Sequence, residues 1–286
     1  MTHRIAIAGI GAVGDLHADC IAEIDRATVV AGSCRTETKG RDFAEEYDAE
    51  WFSETEQMLD ETDPDVLIVC TPSGAHLEPT VAAAERGVDV LCEKPLEITT
   101  ERVDEMIAAA EDGDIRLGGV FQQRFDPSVQ RVHEAASEGR FGDLSMGAAY
   151  VPWWREDDYY RGAWQGTPSL DGGGALMNQS IHGVDAIQWL AGAAAGVEDE
   201  NPVAEVVAFT DRLAHDEDLM EVEDTAVASL RFRGGALGQI LAATSMYPGS
   251  DKRLQLAGRD GTVEGRDDDI STWAFRDADD ESVGDD

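Results

Sequence analysis

Basic residues are scarce in this chain of 286 residues. Lys and Arg number 22 against 59 Asp and Glu, the formal net charge is −37, and lysine occurs only at Lys39, Lys94 and Lys252. Such a chain repels the phosphate backbone, so we expect no nucleic-acid partner. The acidic residues are spread over every predicted helix, which is typical of a halophilic protein whose surroundings screen its self-repulsion. The charge therefore indicates habitat rather than function.

Long apolar runs and paired cysteines are also missing. No stretch of about 18 uncharged apolar residues occurs, which argues against a transmembrane helix. The first four residues lead straight into an apolar run, so we expect no signal peptide, no membrane partner and a soluble, cytoplasmic protein. The four cysteines stand singly in or beside apolar segments, a spacing that favours neither disulfides nor a metal site. We expect reduced cysteines and no bound metal.

The first half of the chain alternates short apolar runs with longer amphipathic ones. This pattern predicts parallel strands joined by helices, an α/β arrangement. The predicted strands cover 5–8, 28–34, 50–52, 66–70, 89–92 and 116–120. The predicted helices cover 13–24, 40–47, 76–86 and 99–110.

The second half changes character after a predicted helix that ends near residue 139. One strand, an aromatic loop and one long helix come next, and strands alone follow, at 203–212, 225–232, 236–246 and 253–256. Gly234-Gly235 and Asp260-Gly261 are hairpin turn signals, which predict antiparallel pairing. We therefore predict an α+β domain over residues 122–286 with an open, mainly antiparallel sheet. The acidic tail from residue 267 is predicted to fray.

A dinucleotide-binding fingerprint follows the first predicted strand and opens the first predicted helix. It consists of Gly9, Gly11 and Gly14, with Ala12 and Val13 between the last two. The first glycine permits a tight turn, the second lets the backbone approach the pyrophosphate, and the third lets helix and strand pack closely. The helix N-terminus then offers amides to the phosphates. A glycine-rich loop that binds nothing is the alternative, but the context favours a Rossmann NAD(P)-binding domain over residues 1–121.

The end of the second predicted strand bears on the choice of cofactor. An NAD-preferring enzyme usually places an acid here for the ribose hydroxyls, whereas this chain has Ser33 and Arg35. Arg35, with Lys39 and Arg41 nearby, would suit a 2′-phosphate, so NADP(H) is favoured. Glu37 keeps NAD(H) open as an alternative.

Two longer segments carry a family resemblance. They read "VCTPSGAHLEPTVAAAERGVDVLCEKP" and "GGGALMNQSIHGVDAIQWL", and together they closely resemble the Gfo/Idh/MocA oxidoreductases over nearly the whole chain. The first segment covers two strand ends, at the sheet edge where open α/β folds bind ligands. There we expect further cofactor-binding residues, namely Thr71, Pro72, Ser73, His76, Glu93 and Lys94.

The resemblance also implies the catalytic residues. It places Lys94 of the Glu-Lys-Pro motif beside the nicotinamide and the substrate hydroxyl, before a proline that is often cis in that family. In the second segment Asn178, His182 and Asp185 follow at spacings of four and three, which predicts one face of a long helix that opens at Asp171. A lone histidine is often a packed helix residue, but with Lys94 the family pattern gives His182 a catalytic role. Asn178 then orients a hydroxyl.

The substrate wall is predicted from aromatic and polar residues around the loop before this helix. The expected substrate-contacting residues are Lys94, Gln122, Trp154, Arg155, Asn178 and His182. Aromatic faces and an arginine suit a sugar ring or a nucleotide sugar. Core packing or a subunit interface is the alternative for several of the aromatic residues.

The resemblance implies an NAD(P)-dependent oxidoreductase that transfers hydride between nicotinamide and a secondary alcohol or ketone of a sugar, polyol or nucleotide sugar. Two alternatives stay open, a non-catalytic metabolite sensor and a hydride-recycling NAD-dependent glycosidase. The C-terminal end is shorter than is usual for the family. A homo-oligomer, dimer or tetramer, is expected because family members commonly pair through the open sheet.

Overall fold

The computed structural model describes residues 2–197 and 200–276. Contacts divide the chain into two compact units, Met1–Val120 with Ser169–Gly172, and Phe121–Pro168 with Gly173–Asp286. In the described ranges, no helix combines the length and apolar character that crossing a membrane requires.

The first unit is a parallel sheet with helices between its strands. Its strands are β1 (His3–Ala8), β2 (Ala27–Ser33), β3 (Glu50–Phe52), β4 (Val66–Val69), β5 (Asp89–Cys92) and β6 (Leu117–Gly119). Its helices are α1 (Ala12–Ala22), α2 (Glu37–Tyr47), α3 (Thr55–Thr62), α4 (Leu77–Ala84) and α5 (Thr100–Asp112). The strand order is β3-β2-β1-β4-β5-β6, and every pairing is parallel. The predicted α/β arrangement is confirmed. Helix α3 was missed because its eight residues contain only two apolar side chains.

The central strands of this unit are apolar on both faces because both faces are covered. Along β1, Ile5 and Ile7 belong to one buried cluster, while Ala6 and Ala8 belong to another. Parallel strands buried on both sides read as continuous apolar runs rather than as an alternation. This is why the strands could be recognised in the sequence, and it leaves the polar chemistry to the loops at the strand ends.

A short segment from the middle of the chain, Ser169–Gly172, belongs to the first unit. The backbone N–H of Gly74 donates to the carbonyl of Leu170 at 2.9 Å. Gly172 has a φ of +74°, and a Cβ there would lie 2.4 Å from the Ile98 side chain. Only glycine therefore fits this position, and the tight fit fixes the neighbouring Asp171 in the first unit.

The second unit contains a seven-stranded sheet. Its strands are β7 (Leu144–Pro152), β8 (Val203–Asp211), β9 (Thr225–Phe232), β10 (Leu237–Ala243), β11 (Arg253–Gly258), β12 (Gly261–Arg266) and β13 (Asp269–Phe275). Its helices are α6 (Pro127–Ser137), α7 (Asp157–Tyr160) and α8 (Ile181–Ala195). The order is β13-β12-β11-β7-β10-β9-β8, and only β7 and β10 pair in parallel. The mainly antiparallel sheet is thus confirmed.

The long helix of this unit begins later than predicted. Residues Ala175–Gln179 form a π-helical turn, and α8 starts only at Ile181. Glu223 caps the start of this turn, since its carboxylate accepts the N–H groups of Gly174 and Leu176 at 2.8 and 2.9 Å. Its backbone carbonyl also accepts the N–H of Ala175 at 2.9 Å. The prediction that Asn178 shares a regular helix with His182 is therefore wrong.

The predicted frayed tail is partly wrong as well. Strands β12 and β13 extend the sheet to Phe275, and both contribute to the core, since Val263 of β12 is 1% exposed and Trp273 of β13 is 8% exposed. The guanidinium of Arg131 lies 4.2 Å from the Trp273 ring centroid, and that of Arg140 lies 4.1 Å from the Phe275 ring centroid. The rest of the acidic tail, 277–286, lies outside the described residues.

A buried carboxylate closes the loop between β8 and β9. Asp224 is fully buried and accepts the backbone N–H groups of Leu213, Ala214 and His215 at 2.8 to 3.0 Å, together with the Thr225 hydroxyl. Burial raises the pKa of Asp224, but these hydrogen bonds lower it further, so that its pKa lies below the ordinary value. The ionised form is therefore the one that the fold stabilises.

We expect Asp224→Asn to lower the free energy of unfolding at pH 7 by about 3 kcal/mol, because buried N–H groups lose a charged acceptor. The folded-state pKa is depressed, so the contribution is present above the unfolded pKa, near pH 4, and is lost as pH falls through the folded pKa. Denaturant unfolding between pH 7 and pH 2 measures this, with the exposed Asp216→Asn as control. A wild-type advantage that stays constant down to pH 2 would contradict the assignment.

Candidate functional site

The turn after β1 has the geometry of a phosphate-binding loop. Gly9 has a φ of +98°, and a Cβ there would lie 2.6 Å from the backbone carbon of Cys70. A Cβ on Gly14 would lie 2.4 Å from the carbonyl oxygen of Gly9. At Gly11, in contrast, a Cβ would meet nothing within 4 Å. Two glycines are thus required by packing, and the third leaves open space over the backbone.

The open space lies at the start of a helix. Gly11 is the N-cap of α1, and Ala12 and Val13 are its exposed first residues. Gly11 has no side chain that could cap the N–H groups of this first turn. Such a turn offers amide donors and the positive end of the helix dipole to a phosphate, so these residues fit a dinucleotide.

The candidate cofactor-binding residues at and after the end of β2 differ in whether other side chains of this unit already engage them. Ser33 is buried, and its hydroxyl lies 2.9 Å from that of Thr55. Arg35 is exposed and makes no ion pair with any residue that the structure describes. Arg41 bonds to Glu37 at 2.7 Å, four residues earlier on α2. Of the cations expected here, Arg41 is therefore paired with an acid. That acid is Glu37, the residue that kept NAD(H) open as an alternative.

The loop after β4 is held together from within. The Thr71 hydroxyl donates to the carbonyl of Ala75 at 2.7 Å, and Ser73 is 2% exposed. His76 is 1% exposed, with Nδ1 2.9 Å from the carbonyl of Pro95 and Nε2 2.8 Å from that of Thr71. Both ring nitrogens are used, so His76 ties two strand-end loops together. Its expected contribution to cofactor binding is therefore indirect.

The Glu-Lys-Pro motif follows β5, and its Lys94–Pro95 peptide bond is cis. Glu93 uses its two carboxylate oxygens separately. Oε1 accepts a hydrogen bond from Nε2 of His17 at 2.9 Å, and Oε2 accepts the backbone N–H of Lys94 at 3.1 Å. Burial raises the pKa of Glu93, but these two hydrogen bonds and the charges of both partners bring it below its ordinary value.

Lys94 itself is largely buried within the first unit. Burial lowers its pKa below the ordinary lysine value, while the charges of Glu93 and Asp171 act in the opposite direction. The sequence analysis missed His17 and Asp171. His17 follows the last fingerprint glycine by three residues, a usable signal, whereas nothing local in the sequence connects Asp171 with Lys94.

In the second unit, His182 stands on the first turn of α8. The side-chain nitrogen of Gln122 lies 3.4 Å from its Nε2, and the Phe121 ring presents an edge at a centroid distance of 6.4 Å. His182 lines a small cavity of this unit together with Gln123, Trp153, Gln179 and Lys252. Asp185 forms an ion pair within this unit, because its carboxylate binds the guanidinium of Arg124.

Gln179 connects the expected substrate residues and was not predicted. Its Oε1 accepts two hydrogen bonds from the guanidinium of Arg155, at 2.8 and 3.1 Å. Its Nε2 donates to the Tyr159 hydroxyl at 2.9 Å and to Oδ1 of Asn178 at 3.1 Å. Arg155 and Asn178 thus share a hydrogen-bonding partner, a glutamine that has no distinctive sequence signal, and their substrate contacts stay a prediction.

Trp154 does not lie among the residues that line this cavity, and its neighbour Trp153 does. The Trp154 ring stacks on His215 at 5.4 Å and meets Tyr247 edge-on at 5.6 Å. The side chains of Trp153 and Trp154 point to opposite sides, as adjacent residues in extended backbone do, and substrate contact by Trp154 stays a prediction. Among the described residues, no group of three or more His, Cys, Asp or Glu side chains is arranged to hold a metal ion.

The fingerprint glycines allow a test that separates binding from folding. Gly11→Ala places a methyl group in open space, so we expect unchanged thermal stability but a dinucleotide affinity lowered by about 10-fold or more, because the backbone can no longer approach the phosphates. Gly14→Ala should instead lower the melting temperature, since its Cβ meets the Gly9 carbonyl.

Fluorescence titration with NADH and NADPH, beside thermal unfolding, measures both effects. Gly234→Ala is the matched control, since a Cβ there also meets nothing within 4 Å and the position lies in the hairpin between β9 and β10 of the second unit. Equal cofactor affinity in Gly11→Ala and the control would contradict the phosphate site.

Comparisons with known proteins agree with this geometry. Residues 3–118 match the model of an oxidoreductase family with an NAD-binding Rossmann fold, and residues 129–264 match the GFO/IDH/MocA C-terminal domain. The chain is 29% identical to a myo-inositol 2-dehydrogenase of Thermotoga maritima, over 91% of this chain and 74% of that protein. It is 32% identical to a D-glucoside 3-dehydrogenase of Escherichia coli, over 66% and 54%.

Among solved structures, the WlbA dehydrogenase from Bordetella pertussis, in complex with NADH and UDP-GlcNAcA, superposes with a TM-score of 0.90. It is 33% identical to this chain, and the match covers 97% of this chain and 83% of that one. The loop at Gly11 fits a dinucleotide, and both units match one family. This chain therefore belongs to the GFO/IDH/MocA family and is an NAD(P)-dependent oxidoreductase that acts on CH–OH groups.

Proposed function

We propose that this oxidoreductase transfers hydride between nicotinamide and a secondary alcohol or ketone of a sugar, a polyol or a nucleotide sugar. The observation that carries the proposal lies in the first unit. The open, amide-lined helix start at Gly11 follows β1, and Lys94, a partly buried lysine, follows β5 of the same parallel sheet. A phosphate-binding turn and a partly buried cation at the carboxyl edge of one sheet suit a dinucleotide and a reacting oxygen.

A nucleotide sugar is the substrate class that we favour among the three. The relative with the 97% match was solved with UDP-GlcNAcA, a nucleotide sugar. In this chain, Arg155, Gln179 and Tyr159 form a hydrogen-bonded set beside Trp153, whose ring lies 5.1 Å from the Arg155 guanidinium. Planar donors and aromatic faces suit sugar hydroxyls and anionic groups.

The protein groups divide the work of the reaction. A bound nicotinamide supplies the hydride chemistry. Lys94, as an ammonium ion, donates a hydrogen bond to the substrate oxygen and stabilises alkoxide character as it develops. His182 accepts the hydroxyl proton in oxidation and returns it in reduction, and Asn178 orients the hydroxyl.

NADP(H) is the cofactor that we favour. Arg35 is exposed at the end of β2 and is in no described ion pair, so its guanidinium is available to a 2′-phosphate. Lys39 is exposed nearby, while Glu37 is engaged by Arg41. No free carboxylate is thus offered to the ribose hydroxyls by these residues.

We also propose a homo-oligomeric, cytoplasmic protein adapted to high salt. Every residue of β8 after Val203 is exposed, and Val206, Val207 and Phe209 are 58%, 67% and 81% exposed. Val207 and Phe209 point to the same face of β8, and exposed apolar side chains that share a sheet face typically mark a protein interface. The net charge of −37 supports a high-salt setting.

The first test is nicotinamide absorbance in multimolar KCl with NAD or NADP and a panel of sugars, polyols and nucleotide sugars. We expect Lys94→Ala and His182→Ala to keep cofactor binding and to lose turnover by about 100-fold or more, because each removes a group that handles the reacting oxygen or its proton. His3→Ala, an exposed histidine, is the control. Unchanged turnover in either variant would remove that residue from the mechanism.

The cofactor preference has its own variant. Arg35→Ala should weaken NADP(H) binding by about 10-fold and leave NAD(H) binding unchanged, because only the former carries the 2′-phosphate. Arg41→Ala is the matched control, since that guanidinium is already bonded to Glu37. Titration of each variant with both reduced cofactors measures the difference, and an equal loss for both cofactors would count against the assignment.

A further inference from the structure

The charges of two carboxylates, Glu93 and Asp171, act on Lys94, although a lysine needs neither of them in order to bind a substrate oxygen. Glu93 precedes it in the motif, and Asp171 belongs to the Ser169–Gly172 segment of the same unit. In a chain with three lysines and a large excess of acid, surface carboxylates need no explanation. Asp171, however, is 2% exposed, and Glu93 is largely buried, so both were taken out of water at a cost.

Glu93 is held in one orientation. Its side chain is 16% exposed, and the two oxygens are bonded to different elements, one to His17 on α1 and one to the N–H of Lys94. Rotation of the carboxylate would break one of these bonds. The negative charge is therefore fixed beside the backbone N–H of Lys94, and the lowered pKa of Glu93 keeps it ionised at neutral pH.

Asp171 is held by the fit of its segment. The Leu170 carbonyl accepts the N–H of Gly74, and the backbone at Gly172 lies against Ile98 too closely for any side chain. The residues on either side of Asp171 are thus both fixed against the strand-end loops that contain the cofactor motifs. A buried carboxylate between two such contacts has little freedom to move away.

We propose that Glu93 and Asp171 are positioning residues that keep Lys94 in its ammonium form, so that it can donate a hydrogen bond to the reacting oxygen. This inference rests on the proposed function, because it assigns a purpose to the charge of Lys94. Burial alone drives a lysine towards the neutral amine, which cannot stabilise an alkoxide. Two fixed carboxylates offset that tendency.

The electrostatics of the neighbourhood have the required sign. Burial lowers the pKa of Lys94, and the charges of Glu93 and Asp171 raise it. The other titratable groups described near Glu93 are His17, which bonds to that carboxylate, and the thiols of Cys70 and Cys92. Burial raises the pKa of both thiols well above the ordinary value, so they stay neutral and contribute no charge.

The scarcity of lysine makes a direct test available. Brief trace acetylation with acetic anhydride at a series of pH values, read by peptide mass spectrometry, reports the deprotonated fraction of each lysine. Lys39 and Lys252 are internal references in every sample. The pH of the inflection reports the pKa of the amine, whereas the plateau rate reports its accessibility, so a loosened structure and a lost charge give different signatures.

We expect Glu93→Gln and Asp171→Asn each to move the Lys94 inflection to lower pH by about 1 unit, which corresponds to the loss of one nearby carboxylate charge. The references should not move, and Asp60→Asn, an exposed acid paired with Arg86, should leave Lys94 unchanged. An unchanged or higher inflection in folded Glu93→Gln overturns the proposal. Should Asp171→Asn fail to fold, Glu93→Gln decides alone.

The readout uses neither substrate nor cofactor, so it is independent of the proposed function. A shifted inflection in a protein that turns over no substrate would leave the charge cluster intact and count against the enzyme assignment alone. Where turnover is found, the alkaline limb of the kcat–pH profile should move to lower pH in the same variants. A limb that stays in place while the inflection moves would show that Lys94 charge is not required for turnover, which overturns the purpose proposed here.

Discussion

The close approach of backbone to backbone at the end of β1 is the constraint on which the cofactor half of the structure depends. With no side chains at Gly9 and Gly14, α1 begins directly against β1 and beside the backbone of Cys70. That contact sets the direction of the helix. One consequence is the amide-lined opening at Gly11, and another is the position of His17, three residues after Gly14, within hydrogen-bonding distance of Glu93. The same packing therefore serves the phosphate site and the lysine motif.

The lysine motif shows why the charges in this unit come in groups. A buried ammonium, carboxylate or imidazole alone would be strongly destabilising, and each becomes tolerable only with partners in fixed geometry. Glu93 satisfies His17 and the backbone of Lys94, and its charge, with that of Asp171, supports the ammonium. The cluster is thus assembled from α1, the end of β5 and a segment 77 positions after Lys94 in the chain, and no part of it is favourable by itself.

The sequence predicted what depends on periodicity and on local turn chemistry. Strands β1, β4 and β5 were found because buried parallel strands are continuous apolar runs, and the hairpin after β9 was found from Gly234-Gly235. The family resemblance located Lys94 and His182. What the sequence did not predict are contacts between distant positions. The membership of Asp171 in the first unit, the hydrogen bonds of Glu223 to the turn before α8 and the strand around Trp273 all depend on partners that are tens of residues away.

The same dependence on contacts between distant positions applies to the predicted substrate-contacting residues of the second unit. Trp154 and Arg155 were predicted as substrate-contacting residues from their residue types, but the contacts that hold them in place involve His215, which was not predicted. His215 is buried, with Nδ1 3.1 Å from Asp224 and Nε2 2.9 Å from the carbonyl of Arg155, and Trp154 stacks on its ring.

The backbone carbonyl of Arg155 is thus bonded to the buried His215, and its guanidinium is bonded to Gln179. A residue held at both its backbone and its side chain pays its ordering cost during folding rather than on binding, which is the general route to preorganised recognition. Arg155 is therefore preorganised for the recognition proposed for it, and its rigidity depends on His215 and Asp224 as well as on Gln179.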